Sequence, residues 1–248
     1  MNPLVSIITP AYNAAEFLGE TLGSIRSQSY ENWELVIVDD ASTDGTWEMI
    51  EGAAMEEPRI RAFRNESNRG VVFTRNRALD EAKGRFVAFL DSDDLWEPLK
   101  LEKQVAFMLS GSHAFTYTSY ENFYEDGRSK VFNAVPFMTA KDNIKNTAIG
   151  ILTVMIDREA VGEFHMPDLE HGEDTATWQL ILERGFTACG ISEVLSHYRV
   201  RGTSLSGNKL SAARKKWHVY RDYYHFSIPK SAYYFICYAF NALKRRMG

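Results

Sequence analysis

Three carboxylates stand together in Asp91-Ser92-Asp93-Asp94, directly after the apolar run Arg85-Phe86-Val87-Ala88-Phe89-Leu90. The run reads as a buried strand. Unpaired charge is too costly to carry on into a core, so the acids belong at the strand end, facing water, a cation or a cationic side chain. Asp91 and Asp93 are two apart and could both offer oxygens to one hard divalent ion. A polar turn that only stops the strand is the other reading. A second acidic pair, Asp39-Asp40, follows Glu34-Leu35-Val36-Ile37-Val38 and leads into Ala41-Ser42-Thr43-Asp44-Gly45. Asp40, Ser42, Asp44, Gly45 and Glu51 match the spacing of a calcium loop, but that loop needs a preceding helix and Glu34–Val38 is β-branched. A strand-end acid aimed at a ligand fits better, with Asp44 starting a helix. A third pair, Glu173-Asp174, opens a helical stretch. One of these acids could act as a general base, although acids also favour the first turn of any helix.

The elements that must position these acids alternate. Leu4–Thr9 reads as a strand stopped by Pro10, followed by helix over about 14–28. Strand 34–38 precedes helix 46–55, the short strand 60–63 precedes helix 71–82 with Gly84 as its C-cap, and then comes strand 85–90. This rhythm predicts a mostly parallel sheet with helices on both faces. Such sheets bind ligands at the carboxyl ends of their strands, where Asp39-Asp40 and Asp91–Asp94 fall. The second half is less regular: strands near 113–120 and 154–156, a helix over 173–182 closed by Gly185, and extended chain over 191–200.

Hydrophobic residues make up 45% of the 248 and charged residues 25%, as in an ordinary soluble domain large enough for a substantial core. Cys189 and Cys237 lack metal-type spacing and suit a reducing compartment. No basic, apolar leader and no run of about 18 apolar residues is evident. The net charge of −5 conceals an asymmetry: residues 209–248 carry nine basic groups and one acid, Asp222, for +8, and the rest carries −13. A basic tail on an acidic body points to an anionic surface, and the acidic body argues against nucleic acid.

Taken in order, Val5-Ser6-Ile7-Ile8-Thr9-Pro10-Ala11-Tyr12-Asn13, Val38-Asp39-Asp40-Ala41-Ser42-Thr43-Asp44, Asn68-Arg69-Gly70 with Arg75-Asn76, Asp91-Ser92-Asp93-Asp94, Gly172-Glu173-Asp174 and His197-Tyr198-Arg199 resemble the family 2 glycosyltransferases of GT-A fold. The resemblance spans about residues 4–205 and is greatest to bacterial enzymes of capsule, O-antigen or teichuronic-type polysaccharide synthesis. It implies a nucleotide-diphospho-sugar transferase fold, a UDP-sugar donor and a glycan or glycolipid acceptor. It also implies an inverting transfer. In that reading Tyr12, with Pro10 before it, stacks on the nucleotide base, Asp40 reads uracil, and Asp39 supports that loop. Arg75 contacts the donor, and Ser92 lies in the same site. Asp91 and Asp93 hold Mn²⁺ or Mg²⁺ against the diphosphate, with Asp94 orienting them. The resemblance places the base on Asp174, with Glu173 on the acceptor side. Trp178, one helical turn on, is either an acceptor platform or core. Relatives often carry histidine where this chain has Arg201, so Arg201 is expected to pair with the diphosphate itself, beside a Gly/Ser-rich loop at 202–206.

Residues 1–208 are expected to form the catalytic domain, with a nucleotide-binding half (1–110) and an acceptor-side half (111–208). Residues 209–248 form a basic, aromatic helical extension. Its stretch Ser231–Leu243 is uncharged for 13 residues, too short to span a bilayer, and flanked by Lys230 and Lys244-Arg245-Arg246. It suits an anionic membrane interface, or docking on the catalytic domain or a second subunit. The location implied is cytoplasmic, peripheral on the inner membrane face, with a homo-oligomer left open. Two rivals are a sugar-nucleotide pyrophosphorylase, which should show an N-terminal Gly-rich loop with lysine, and a non-catalytic nucleotide-sugar binder.

Overall fold

The computed structural model describes residues 2–146, 148–201 and 209–247, with the side chains of 209–212, 215 and 242–247 outside that description. The 202–206 loop and the side chains of Lys244-Arg245-Arg246 thus lie outside the described residues. The first half alternates as the hydrophobic pattern requires: β1 (Val5–Ala11), α1 (Leu18–Arg26), β2 (Trp33–Asp39), α2 (Thr46–Glu56), β3 (Ile60–Arg64), α3 (Val71–Glu81) and β4 (Phe86–Phe89). The second half runs β5 (Leu95–Trp96), α4 (Lys100–Gly111), β6 (Phe115–Tyr124), β7 (Ser129–Phe132), β8 (Phe137–Met138), α5 (Ala140–Asn143), β9 (Met155–Asp157), α6 (Arg158–Val161), α7 (Glu173–Glu183) and β10 (Ala188–Val200). The extension is α8 (Lys209–His218), a π-helical turn over Val219–Tyr223, and α9 (Ile228–Met247).

All ten strands join one sheet, with main order β3-β2-β1-β4-β9-β6-β10-β5. The β3-β2-β1-β4 block is parallel, as are β6 and β10, whereas β9 is antiparallel to both β4 and β6. Strands β1, β2 and β4 are buried along their whole length, because helices cover both faces. One apolar cluster packs around Leu18, Leu22, Ile25, Ile50 and Leu101, and a second, on the other side, around Leu79, Phe115, Trp178 and Ile181. The parallel block sends the carboxyl ends of β1, β2 and β4 to one edge, so Tyr12, Asp39-Asp40 and Asp91 come together there.

Two local expectations change. Pro10 does not stop β1, which runs on to Ala11. Pairing with β4 ends at Ile8, so Pro10 has only β2 beside it and its missing N–H is tolerated. Gly84 is not a helix cap, since α3 ends at Glu81. It lies where two chain segments touch: a Cβ there would stand 2.6 Å from Ser6 N and 2.7 Å from Leu4 O. Gly84 N donates to Ser6 Oγ at 2.7 Å, and Ser6 Oγ donates to Glu34 Oε1 at 2.6 Å. Helix α4 occupies a stretch without an assignment from sequence, burying Leu101, Val105 and Met108 at helical spacing.

Replacing Gly84 by Ala must push backbone apart at the amino ends of β1 and β4. Gly84→Ala is expected to cost about 1–3 kcal/mol or more, the range of overpacking. Urea unfolding of the variant should show a lower midpoint at unchanged slope.

Candidate active site

The loops after β1 and β2 are clipped together. Asn13 N donates to Ser42 Oγ and Thr43 N to Asn13 Oδ1, both at 2.9 Å, and Ala14 N donates to Thr46 Oγ1 at 2.8 Å. Asp44 holds the start of α2, accepting from Thr46 N at 3.0 Å and from Ala15 N at 3.2 Å. Tyr12 stands out from this loop half exposed, its ring open to a stacking partner. Asp39 is fully buried and supports the loop by accepting from Ser42 N at 3.1 Å and pairing with Arg64 Nε at 3.1 Å.

Asp40 is buried and already occupied. Its Oδ1 accepts from Asn65 Nδ2 at 2.7 Å and Arg69 N at 2.9 Å, and its Oδ2 from Gly70 N at 2.8 Å. A carboxylate offers about four acceptor positions, so one on Oδ2 is left for a ring N–H. Gly70, at φ +86°, turns the chain so that consecutive N–H groups aim at Asp40 just before α3 begins. This clamp gives Asn68-Arg69-Gly70 a physical role that its sequence did not specify.

Arg75, on α3, joins two of the acidic motifs. Its Nη2 donates to Asp91 Oδ1 at 2.7 Å and Oδ2 at 2.9 Å, and its Nη1 donates to Glu173 Oε1 at 2.9 Å. The guanidinium is buried and its Nε has no partner. Burial works against its charge, but the Asp91 and Glu173 carboxylates outweigh that and raise its pKa further. The Glu173 carboxyl is pushed up, chiefly by burial and then by Asp174, with Arg75 opposing. Asp174 lies beside it in the first turn of α7 and accepts from Thr175 N at 2.6 Å. No described residue donates to its Oδ2.

The remaining acids meet the end of β10. Asp93 Oδ2 accepts from Arg201 Nη2 at 2.6 Å. Arg199 donates through Nε to Asp93 O at 2.9 Å, through Nη2 to Glu20 Oε2 at 2.6 Å, and lies 4.7 Å over both Phe17 and Phe123. Asp94 is wholly buried: Oδ1 accepts from Arg199 N at 2.9 Å, but Oδ2 has no partner among the described residues. Burial, then the Asp91 and Asp93 charges, push the Asp94 carboxyl well above its usual range; burial and then Asp91 raise Asp93, with Arg201 opposing. Arg199 and Glu20 are site residues that the sequence reading left without a role.

The set Asp91, Asp93 and Asp94, with one buried carboxylate oxygen unsatisfied, has the hard oxygen chemistry that suits a divalent cation. Among the described residues no three His, Cys, Asp or Glu side chains converge on one point, so protein ligands would be few and the rest would come from substrate and water. Trp178 is not an acceptor platform. It is fully buried, 5.6 Å from the ring of Phe89 and 5.4 Å from that of Phe115. The helical period sets it on the same side of α7 as Asp174, one turn away, but Phe89 and Phe115 hold its ring inside the apolar cluster.

Residues 6–156 match the family model for glycosyl transferase family 2. The chain is 46% identical over 247 residues to TuaG of Bacillus subtilis, named for teichuronic acid biosynthesis, covering 99% of this chain and 98% of TuaG. It is 36% identical over 244 residues to WfgD of Escherichia coli, a UDP-Glc:α-D-GlcNAc-diphosphoundecaprenol β-1,3-glucosyltransferase, covering 98% and 94%. Among solved structures, Staphylococcus aureus TarS 1–349 aligns at TM-score 0.70 and 20% identity over 95% of this chain and 70% of its own. The Pyrobaculum calidifontis mannosyltransferase PcManGT, solved with GDP-Man and Mn²⁺, aligns at 0.68 and 21% over 99% and 71%. These two establish the GT-A fold.

The raised Asp94 carboxyl carries a pH signature. A raised folded-state pKa means stability that is full below the unfolded pKa and lost as pH rises through the folded one. Asp94→Asn removes the charge and keeps an acceptor for Arg199 N. In metal-free buffer it should raise the melting midpoint, more at pH 8 than at pH 5. Removing a buried charge crowded by Asp91 and Asp93 is worth about 1–3 kcal/mol, at about 2–4 °C per kcal/mol in a chain of this size.

Proposed function

The chain belongs to glycosyl transferase family 2, and from that premise we propose that it moves one sugar from a UDP-sugar to a hydroxyl of a lipid-linked glycan, inverting the anomeric carbon. The observation that carries the proposal is the Arg75 bridge, which brings the strand-end Asp91 and the helix-start Glu173 onto one buried cation. Asp174 thereby stands beside the acids assigned to the donor.

Tyr12 stacks on the nucleotide base and the open position of Asp40 Oδ2 accepts the ring N–H. Arg201, with one guanidinium edge on Asp93, can turn to the diphosphate. Asp91 and Asp93 would hold Mn²⁺ or Mg²⁺, which offsets the charge gathering on the departing diphosphate. Arg75, anchored by the Glu173 carboxylate, can release Asp91 without moving. Asp174 Oδ2 takes the proton of the acceptor hydroxyl. The hydroxyl oxygen attacks the anomeric carbon from the face opposite the diphosphate, a new C–O bond forms, and UDP leaves with the electron pair of the old one. In this reading residues 1–110 bind the nucleotide and 111–208 face the acceptor. WfgD's acceptor, α-D-GlcNAc-diphosphoundecaprenol, is the reason to place this chain's acceptor on a lipid carrier.

The extension supports work at a membrane surface. No described helix is long and apolar enough to cross a bilayer. Instead α9 leaves Tyr233, Ile236 and Phe240 exposed along one face, in a segment of net positive charge. Such a face seats in the headgroup region, with cations on anionic lipid.

The direct assay mixes the full chain with a panel of UDP-sugars, Mn²⁺ or Mg²⁺, and polyprenyl diphosphates bearing one GlcNAc, GalNAc or glucose residue. Asp174→Asn should lower transfer about 10²–10⁴-fold at unchanged UDP affinity. Full turnover in that variant removes the base assignment, and tight UDP binding with no transfer by the wild type favours a non-catalytic binder. For the membrane, the chain should co-sediment with vesicles containing anionic lipid and be released by salt. Ile236→Asp combined with Phe240→Asp should abolish the binding, and equal sedimentation of both proteins would refute the α9 contact.

A further inference from the structure

Between the loop that leads into α7 and the helical extension lies a cleft of about 300 Å³, lined by Leu169, His171, His218, Val219, Asp222 and Tyr223 together with Glu170. Its two walls come from opposite ends of the second half of the chain. One wall is the three residues before Gly172-Glu173-Asp174. The other is the π-helical turn of the extension and the residue before it.

The two walls are fixed to each other. Gly172, at φ +77°, turns the chain sharply between His171 and Glu173, and a Cβ there would lie 3.7 Å from Val219 Cγ2. Tyr220, wholly buried next to Val219, donates its hydroxyl to Ile144 O at 2.7 Å. Asn241 Nδ2 donates to Lys145 O at 3.1 Å, so the extension is tied down at both ends of its run. His171, on the cleft wall, lies three residues before Asp174 and is joined to it through the Gly172 turn and the first residue of α7, so the cleft opens beside the carboxylate assigned as base.

We propose that this cleft holds the sugar residue of the acceptor that presents its hydroxyl to Asp174, so that the extension forms one wall of the acceptor site. The proposal rests on the transferase reading with Asp174 as base. Three features of the lining identify a neutral sugar. Leu169, Val219 and Tyr223 supply the apolar and aromatic surface that a pyranose face covers. His171, part-exposed at the cleft, has an Nε2 that makes no hydrogen bond among the described residues, its nearest acid being Glu170 Oε1 at 3.4 Å, so a bound hydroxyl would supply the partner it lacks. His218 Nδ1 is held by Asp222 Oδ2 at 2.7 Å, which places a second polar pair on the opposite wall. The charged side chains lining the cleft are Glu170 and Asp222, with no Lys or Arg among the described lining residues. That charge repels a phosphate and accepts hydroxyl donors. The volume is at the small end for ligand sites and suits one ring rather than a chain of them.

The test compares His171→Ala and Asp222→Ala with the wild-type chain, using whichever of the three sugar-bearing polyprenyl diphosphates the wild type glycosylates best. Both residues are at least partly exposed, and each variant is checked by thermal melting. His171→Gln replaces any alanine variant that does not fold. Each substitution should raise the acceptor KM about three- to tenfold, the loss of one or two hydrogen bonds, with kcat and the Kd for UDP unchanged. The same polyprenyl diphosphate without its sugar should inhibit wild type and variants equally. An acceptor KM unmoved by both substitutions overturns the proposal, as does a parallel loss of UDP binding or of inhibition by the sugarless diphosphate. A wild-type chain that transfers to no acceptor instead overturns the transferase reading on which the proposal stands.

Discussion

One buried guanidinium sets the geometry of this protein's site. Arg75 grips both oxygens of Asp91 and one of Glu173, residues 16 and 98 positions away along the chain. Without a cation between them these two acids would repel across a low-dielectric gap. A lysine could not substitute, because the contact uses two edges of a planar fork. The arrangement also needs a rigid base for the arginine. Helix α3 supplies it, packed by Ala78 and Leu79 against the sheet and begun by the Gly70 turn that Asp40 holds. The acids of β2, β4 and α7 are thus linked through α3, and the position of any one depends on the others.

Much of this was legible in the sequence. The alternation of apolar runs in the first half fixed β1 to β4 and α1 to α3 to within a few residues, because buried parallel strands leave so plain a signature. The strand-end acids were legible for the same reason: charge after an apolar run has few places to go. The second half resisted because its strands are antiparallel insertions, short pairs such as β5 and β8, and a ten-residue β6 whose outer part is only half buried. None of these has a distinct period. Trp178 shows the limit most clearly. Its spacing from Asp174 put it on a helix, but which way it faced depended on Phe89 and Phe115 from two other elements. The partners of Asp40 were hidden likewise, since backbone N–H groups carry no sequence signature.

The extension lies outside the family match, which ends at residue 156 and already leaves out α7 and β10. Its aromatic residues divide by role. Tyr220 and Tyr234 pack inward, where Tyr220 also stacks on Phe226, while Tyr233, Ile236 and Phe240 look outward. A single helix thereby has one face committed to the catalytic body and one left over. That division is a physical reason for the basic charge to be concentrated in the tail rather than spread over an otherwise acidic surface.

The unsatisfied oxygen of Asp94 has a consequence for the life of the protein. Asp91, Asp93 and Asp94 crowd like charge into one corner of the fold, where Arg75, Arg199 and Arg201 offset part of it. Anything that neutralises that corner binds the native state and not the unfolded chain, and so shifts the folding equilibrium toward the native form. The idle protein is therefore the one that opens most often and meets proteases first. Its abundance is thereby coupled to the supply of what it binds.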